Sequence, residues 1–239
     1  MPSIPSCPLT PDALLPPDEA ARLGTLRHYD VFSTAPDDVF NDLVALAAHA
    51  FQLPLAFLAL VDEQQVCFHA QYGTALTAVP RAQALCSSAI LHPHVTAYEN
   101  LAATPQTGAD AQAIRAALAL GNGFYAAAPL RMPDGHTIGV FCLAGPQPRS
   151  FSADEQLVLE ALAEVTSLGI AVRHLCRATP EFGPDEWADV RLRLCADLRT
   201  LRQQLNGLLA QHASQVPLPA AVLEPLRLGL QVLRMALAD

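Results

Sequence analysis

Residues 123–147 read GFYAAAPLRMPDGHTIGVFCLAGPQ. An apolar, β-prone run goes from Gly123 to Arg131, and a second from Thr137 to Ala144. Between them stands Met132-Pro133-Asp134-Gly135, which is turn chemistry. Pro presets the direction of approach, and Asp and Gly tolerate the positive φ that tight turns need. The stretch predicts a β-hairpin. Nearly every position of both strands is apolar, so both faces must be covered and the hairpin belongs at the centre of a sheet. Directly after it, Ser152 and Glu155 have the Ser-x-x-Glu spacing that opens helices. Val158, Leu162, Val165, Leu168 and Val172 then follow on one helical face.

Working outward, residues 1–17 hold six prolines and no periodicity, which predicts a flexible tail. A short helix is expected from Asp18 to about Tyr29. Ser33-Thr34-Ala35-Pro36-Asp37-Asp38 offers a hydroxyl cap, an early Pro and first-turn acids, the start of a second helix. Phe40, Leu43, Val44, Ala47 and Phe51 lie on one face of that helix, and Leu53-Pro54 stops it. Residues 55–61 and 66–72 predict another hairpin around Asp62-Glu63-Gln64-Gln65. Residues 74–80 read as a loop, 83–91 as a short helix, 95–99 as a short strand and 111–120 as a helix. Antiparallel hairpins with helices inserted between strands indicate an α+β sheet rather than a doubly wound parallel one.

The chain has 239 residues, 51% of them hydrophobic, enough for one large core and an appendage. The formal charge is −9. An acidic surface of this kind argues against nucleic acid, whose binding needs clustered cations facing phosphates. Cys7, Cys67, Cys86, Cys142, Cys176 and Cys195 are scattered without a C-x-x-C pair, so neither a zinc site nor a thioredoxin-type motif is indicated. Cys67 and Cys142, in apolar strands, read as small buried hydrophobes. No charged-then-apolar leader and no apolar run of ~20 residues is visible, so neither secretion nor membrane insertion is expected. The expected setting is the reducing cytoplasm. No Ser-His-Asp set, carboxylate pair or Gly-rich phosphate loop has the spacing of a catalytic site, and the expectation is a protein that is not an enzyme.

Four stretches, in order, carry a family resemblance. They are Arg22 to Tyr29 with Ser33-Thr34-Ala35-Pro36; Leu60-Val61-Asp62 with Phe68 and Gly73; Leu85-Cys86-Ser87-Ser88-Ala89-Ile90; and Ala128-Pro129-Leu130-Arg131, Asp134-Gly135, Gly139 to Leu143 and Pro148-Arg149. Together, residues 18–175 resemble a GAF domain of the bacterial sensor and signalling subgroup. The resemblance implies a six-stranded, mostly antiparallel sheet with helices on both sides. It also implies a cavity between one sheet face and the short helices of residues 80–122, and a regulatory module, usually dimeric, coupled through its terminal helices. Cys86 lacks the adjacent His of bilin-binding members, and Cys7 lacks the Pro-Ile-His context of bacterial phytochromes. Covalent bilin is therefore not expected, and no other cofactor is specified.

Seven residues are candidates for the ligand site. Cys86, Ser87 and Ser88 open a short helix, where free amides can hold an anion or ease ionisation of a thiol. Tyr98, Asn100, Asn122 and Tyr125 are polar or amphipathic groups on elements expected to rim the cavity. His92 and His94 lack a third ligand, so no metal site is expected. Residues 176–184 read as a linker. Residues 185–239 read as a helical hairpin for dimerisation or docking, with Val190, Leu194, Leu198, Leu201, Leu205 and Leu208 on one seam and Leu223, Leu226, Leu230, Leu233 and Leu237 on the other. Two lone helices bury too little to be stable, so the seams must pack on the domain or on a second copy. The expected function is a non-catalytic cytoplasmic sensor of a small molecule, forming a homodimer and acting on a signalling partner, without nucleic acid or membrane. Two alternatives stand beside it: a redox enzyme using Cys86, similar to free methionine sulfoxide reductases, and a ligand-free dimerisation scaffold.

Overall fold

The computed structural model describes residues 12–31, 37–179, 183–212 and 215–238. A 3₁₀ turn, Asp12–Leu14, leads into α1 (Glu19–His28) and α2 (Asp38–Ala50). Strands β1 (Leu55–Val61), β2 (Gln65–Tyr72) and β3 (Ala78–Pro80) follow, then a 3₁₀ turn Arg81–Gln83, α3 (Cys86–Ala89), β4 (Thr96–Tyr98) and α4 (Ala111–Ala119). The chain continues through β5 (Phe124–Arg131), β6 (Thr137–Gly145), α5 (Ala153–Ala178), α6 (Gly183–His212) and α7 (Ala220–Ala238). The fold is α+β. Its six strands lie in the order β3-β2-β1-β6-β5-β4, and every neighbouring pair is antiparallel.

The stretch 123–147 becomes β5 and β6, inside the sheet as its two-sided apolarity requires. At their turn Gly135 has φ +90°, and its amide donates to the Met132 carbonyl at 2.9 Å. Thr25 of α1 donates to the Asp134 carboxylate, which docks α1 on the turn. The strands alternate between two cores. Leu58, Ala126, Ala128 and Leu143 face α2 and α5, whereas Phe57, Ala127, Cys142 and Ala144 face α3 and α4. Two bulges interrupt the alternation: His69 is the extra residue between the pairs Leu58↔Ala70 and Ala59↔Phe68, and Ile138 between Leu130↔Gly139 and Arg131↔Thr137.

Helix α5 starts with both bonds of the capping box: the Glu155 amide donates to Ser152 Oγ at 3.2 Å, and the Ser152 amide to Glu155 Oε2 at 2.8 Å. The seams of α6 and α7 are buried within the chain itself. Leu194, Leu198, Leu201 and Leu205 of α6, and Leu223, Leu226, Leu230, Leu233 and Leu237 of α7, share one core with α2 and α5. Of the two partners open to the hairpin, its own domain takes the seams, because α2 and α5 present apolar outer faces as well as inner ones. Those leucines are therefore not free to zip two copies together. Among the described residues no helix is long and apolar enough to cross a membrane.

Four local expectations change. Residues 78–80, read as a loop, pair with Gln65 to Cys67 as the edge strand β3. The helix expected over 83–91 shrinks to the four residues of α3, because Ser87 Oγ donates to the Arg81 carbonyl (2.6 Å) and Ser88 Oγ to that of Leu85 (3.1 Å). Such side-chain bonds compete with helix propagation. The N-terminal tail does not reach residue 17: Leu14 is buried, and its carbonyl accepts from Arg81. α5 runs on to Ala178, inside the expected linker, and α6 starts at Gly183. The cap expected at Ser33 to Pro36, the corner at 180–182, Cys7 and residues 1–11 lie outside the described residues.

Candidate functional site

The face of the sheet turned away from α5 does not close completely on the short helices. Between them lies a cavity of about 290 Å³. β1 and β2 supply Leu55, Phe57 and Phe68; β5 and β6 supply Tyr125, Cys142 and Ala144; Leu85 and Cys86 come from α3 and its approach. Leu76 and Leu120, both exposed, stand at its mouth, with Thr74 and Asn122 beside them. Not one lining residue carries a formal charge. A wall of this composition favours a neutral, mostly apolar molecule held by one or two hydrogen bonds, and the volume is at the small end for ligand pockets.

Three polar groups of the lining, Tyr125, Cys86 and Cys142, lie together. Tyr125 Oη donates to Cys86 Sγ at 3.3 Å, and Cys142 lies beside Cys86, with its Sγ 3.7 Å from the Phe57 carbonyl. All three are buried. The neighbouring Cys142, chiefly, and the hydroxyl of Tyr125 lower the pKa of Cys86 against the opposing effect of burial, while the Cys142 thiol itself donates to the Phe57 carbonyl. Burial, reinforced by the neighbouring Cys86, pushes Cys142 and Tyr125 well up. Cys86 is thus the member of the trio that ionises first.

Of the seven candidates, Cys86, Asn122 and Tyr125 line the cavity. Ser87 and Ser88 are buried, but their hydroxyls are used by backbone carbonyls. Tyr98 donates to Asp110 at 2.6 Å outside the cavity, and burial, with that bond second, raises its pKa to about 12. Asn100 closes an exposed turn by accepting from the Ala103 amide. Cys142, expected as a packed hydrophobe, also lines the cavity. The pairs Ala127↔Cys142 and Tyr125↔Ala144 put these residues on one face only because of the bulge at Ile138; the register set at the turn would otherwise place Cys142 opposite Ala126, on the other face. Phe57, Phe68 and Gln83 could not have been found from the sequence, since their place depends on which sheet face α3 and α4 cover.

Among the described residues no group of three or more His, Cys, Asp or Glu could hold a metal ion. His94 instead lies 3.4 Å from Glu160.

Comparison with known proteins bears on the family. The chain is 29% identical over 208 residues to Cyclic di-GMP phosphodiesterase PA2567 of Pseudomonas aeruginosa; the match covers 87% of the chain and 34% of that protein, so the chain spans about a third of its relative's length. Solved structures with a similar course include the GAF domain of the Acinetobacter phosphoenolpyruvate-protein phosphotransferase. That likeness has 17% identity and a TM-score of 0.48, covering 66% of this chain and 98% of the other. Free methionine-R-sulfoxide reductase of Neisseria meningitidis gives 21% identity and a TM-score of 0.43, covering 62% and 87% respectively. The family profile described as GAF domain matches residues 33–171, more than half of the chain. With its sheet order, its flanking helices and this match, the chain belongs to the GAF domain family.

Proposed function

We propose that this GAF domain is a non-catalytic sensory module that binds a small neutral molecule in the cavity above Tyr125 and Cys86. The observation that carries the reading is the lining: a cavity of about 290 Å³ with apolar walls, a few polar groups and no charged side chain. Burying a phosphate there would leave its charge without a cation, so a cyclic dinucleotide is a poor occupant. The Pseudomonas relative is named for cyclic di-GMP hydrolysis. In our reading this chain corresponds to a regulatory portion of such a protein, and an enzyme of that class is the signalling partner to test.

The route from cavity to surface follows β5. Tyr125 and Ala127 face the cavity, while Ala126 and Ala128 face the core shared with α5. A ligand that displaces β5 must therefore shift α5 and the helices packed on it. Signalling requires that the ligand bind two arrangements of those helices with different affinity. We place the module in the reducing cytoplasm and assign any homodimer contact to surfaces other than the two leucine seams.

The test is binding of the neutral fluorescent probe N-phenyl-1-naphthylamine, with native mass spectrometry of the same preparation. The wild-type chain should bind the probe or retain a small molecule. Ala117→Phe, which fills the cavity from α4, should lose at least tenfold in affinity and carry no retained mass. Equal binding by both proteins, or none by either, would sink the reading.

A further inference from the structure

Five cysteines are described, and all are free. Three of them do not line the cavity. Cys67 is half-buried on β2, and Cys176 and Cys195 sit in the helical core, where burial pushes both thiols up, Cys195 to about 11. The remaining two are brought together from positions 86 and 142, one at the start of α3 and one in the middle of β6. Both line the same cavity, and the phenol of Tyr125 lies against the first of them at 3.3 Å. A packed pair of small hydrophobes would need neither a shared cavity nor a hydroxyl aimed at one sulfur.

We propose that Cys86 and Cys142 are a redox pair in the cavity floor, converted to a disulfide by a hydroperoxide that enters through the mouth at Leu76 and Leu120. Cys86 is the attacking thiol. The Tyr125 hydroxyl donates to its sulfur at 3.3 Å and so favours the thiolate, and thiolate character governs reactivity toward peroxide. In the first step the Cys86 sulfur attacks one peroxide oxygen. An S–O bond forms and the O–O bond breaks; the departing oxygen takes up the thiol's proton and leaves as water, or as an alcohol from an organic hydroperoxide. Cys86 is then a sulfenic acid. In the second step the Cys142 sulfur attacks that of Cys86. The S–S bond forms, the S–O bond breaks, and the hydroxyl departs with the Cys142 proton as water. The two sulfurs together lose two electrons, which reduce the peroxide. Cys142 takes the second role because it is the other sulfur lining the same cavity.

The consequence is mechanical as well as chemical. A disulfide ties α3 to β6 across the floor and removes the acceptor of the Tyr125 hydroxyl, so the same cavity would report oxidation by changing shape. The inference goes beyond ligand binding and needs no ligand to be present.

The experiment treats the full reduced chain with hydrogen peroxide, alkylates remaining thiols after denaturation, and maps the labels by peptide mass spectrometry. Two thiols should be lost, at Cys86 and Cys142, with an intact mass lower by two hydrogens and full reversal by dithiothreitol. Cys142→Ser should stop at a sulfenic acid on Cys86 that dimedone traps, and Cys86→Ser should leave Cys142 unmodified. Tyr125→Phe, which keeps the ring, should slow oxidation of Cys86 by about tenfold, since a hydrogen bond to a charged group is lost. The proposal is overturned if Cys86 and Cys142 remain alkylatable while free glutathione in the same tube is oxidised. It is equally overturned if Cys86 goes to the sulfinic acid without joining Cys142, or if Cys67 reacts first. Probe binding by the reduced chain is read separately, so failure of either idea is visible without the other.

Discussion

His69 is a histidine kept neutral by its surroundings. It is the extra residue of the β2 bulge, with its ring edge-on to Phe40 at 5.8 Å and its Nε2 3.5 Å from Nη1 of the buried Arg173. Burial chiefly, then the Arg173 charge, lowers its pKa to about 4. Below pH ~6.5 the unfolded chain binds a proton that the folded chain refuses. Stability from this residue is therefore present above that value and is lost as pH falls toward 4. The slope is at most about 1.4 kcal/mol per pH unit, and the whole effect about 2–3 kcal/mol. His69→Gln keeps an acceptor for Arg173 and cannot titrate. Urea unfolding of the two proteins from pH 7 to pH 4 should show the variant losing less stability; a constant difference across the series would refute the assignment.

The start of α5 is where elements are tied together. Glu155 is fully buried, pairs with Arg149, closes the capping box on the Ser152 amide and accepts the Leu218 amide at 3.2 Å. Arg149 donates in turn to the Phe51 carbonyl at 2.9 Å, so one ion pair joins the end of α2, the start of α5 and the turn before α7. Removing one partner of a buried pair leaves the other uncompensated, which costs about 3–5 kcal/mol. Glu155→Ala should lose that much in equilibrium unfolding, and amide exchange at Leu218 and the first turn of α7 should accelerate. Unchanged exchange at Leu218 would mean that the bond does not hold the hairpin in place.

At the scale of the molecule, the helical hairpin is part of the domain's core. Leu230 of α7 is as completely buried as Leu58 at the centre of the sheet, and both belong to one apolar cluster. A Leu→Ala change at such a site costs about 2–5 kcal/mol. Leu230→Ala should lower the midpoint of a single unfolding transition that circular dichroism and Trp187 fluorescence report together. A separate early transition, with the sheet unaffected, would show instead that the hairpin is an independent unit. The same docking gives cavity and hairpin a common mechanical frame, since α5 touches β5 on one side and α7 on the other.

The central hairpin, the capping box of α5 and the α+β class were legible in the sequence because they rest on local chemistry: turn residues at Pro133 to Gly135, the Ser152–Glu155 spacing, and apolar runs with period two or near four. The resemblance in residues 18–175 added the family and the side of the sheet where a cavity lies. It could not say which of Cys86, Ser87 and Ser88 would face inward, since one residue along a short helix turns a side chain by about 100°. β3 escaped notice because three residues at an edge take their conformation from a neighbour rather than from themselves. The partner of the leucine seams was likewise undecided, because an apolar stripe records that a face must be covered and not what covers it. Sequence by itself determined where the long strands and helices form and which of their faces are apolar. Only the tertiary structure decided that those faces meet within one chain and that Cys86, Tyr125 and Cys142 converge, because contacts between residues distant in sequence depend on how the elements pack.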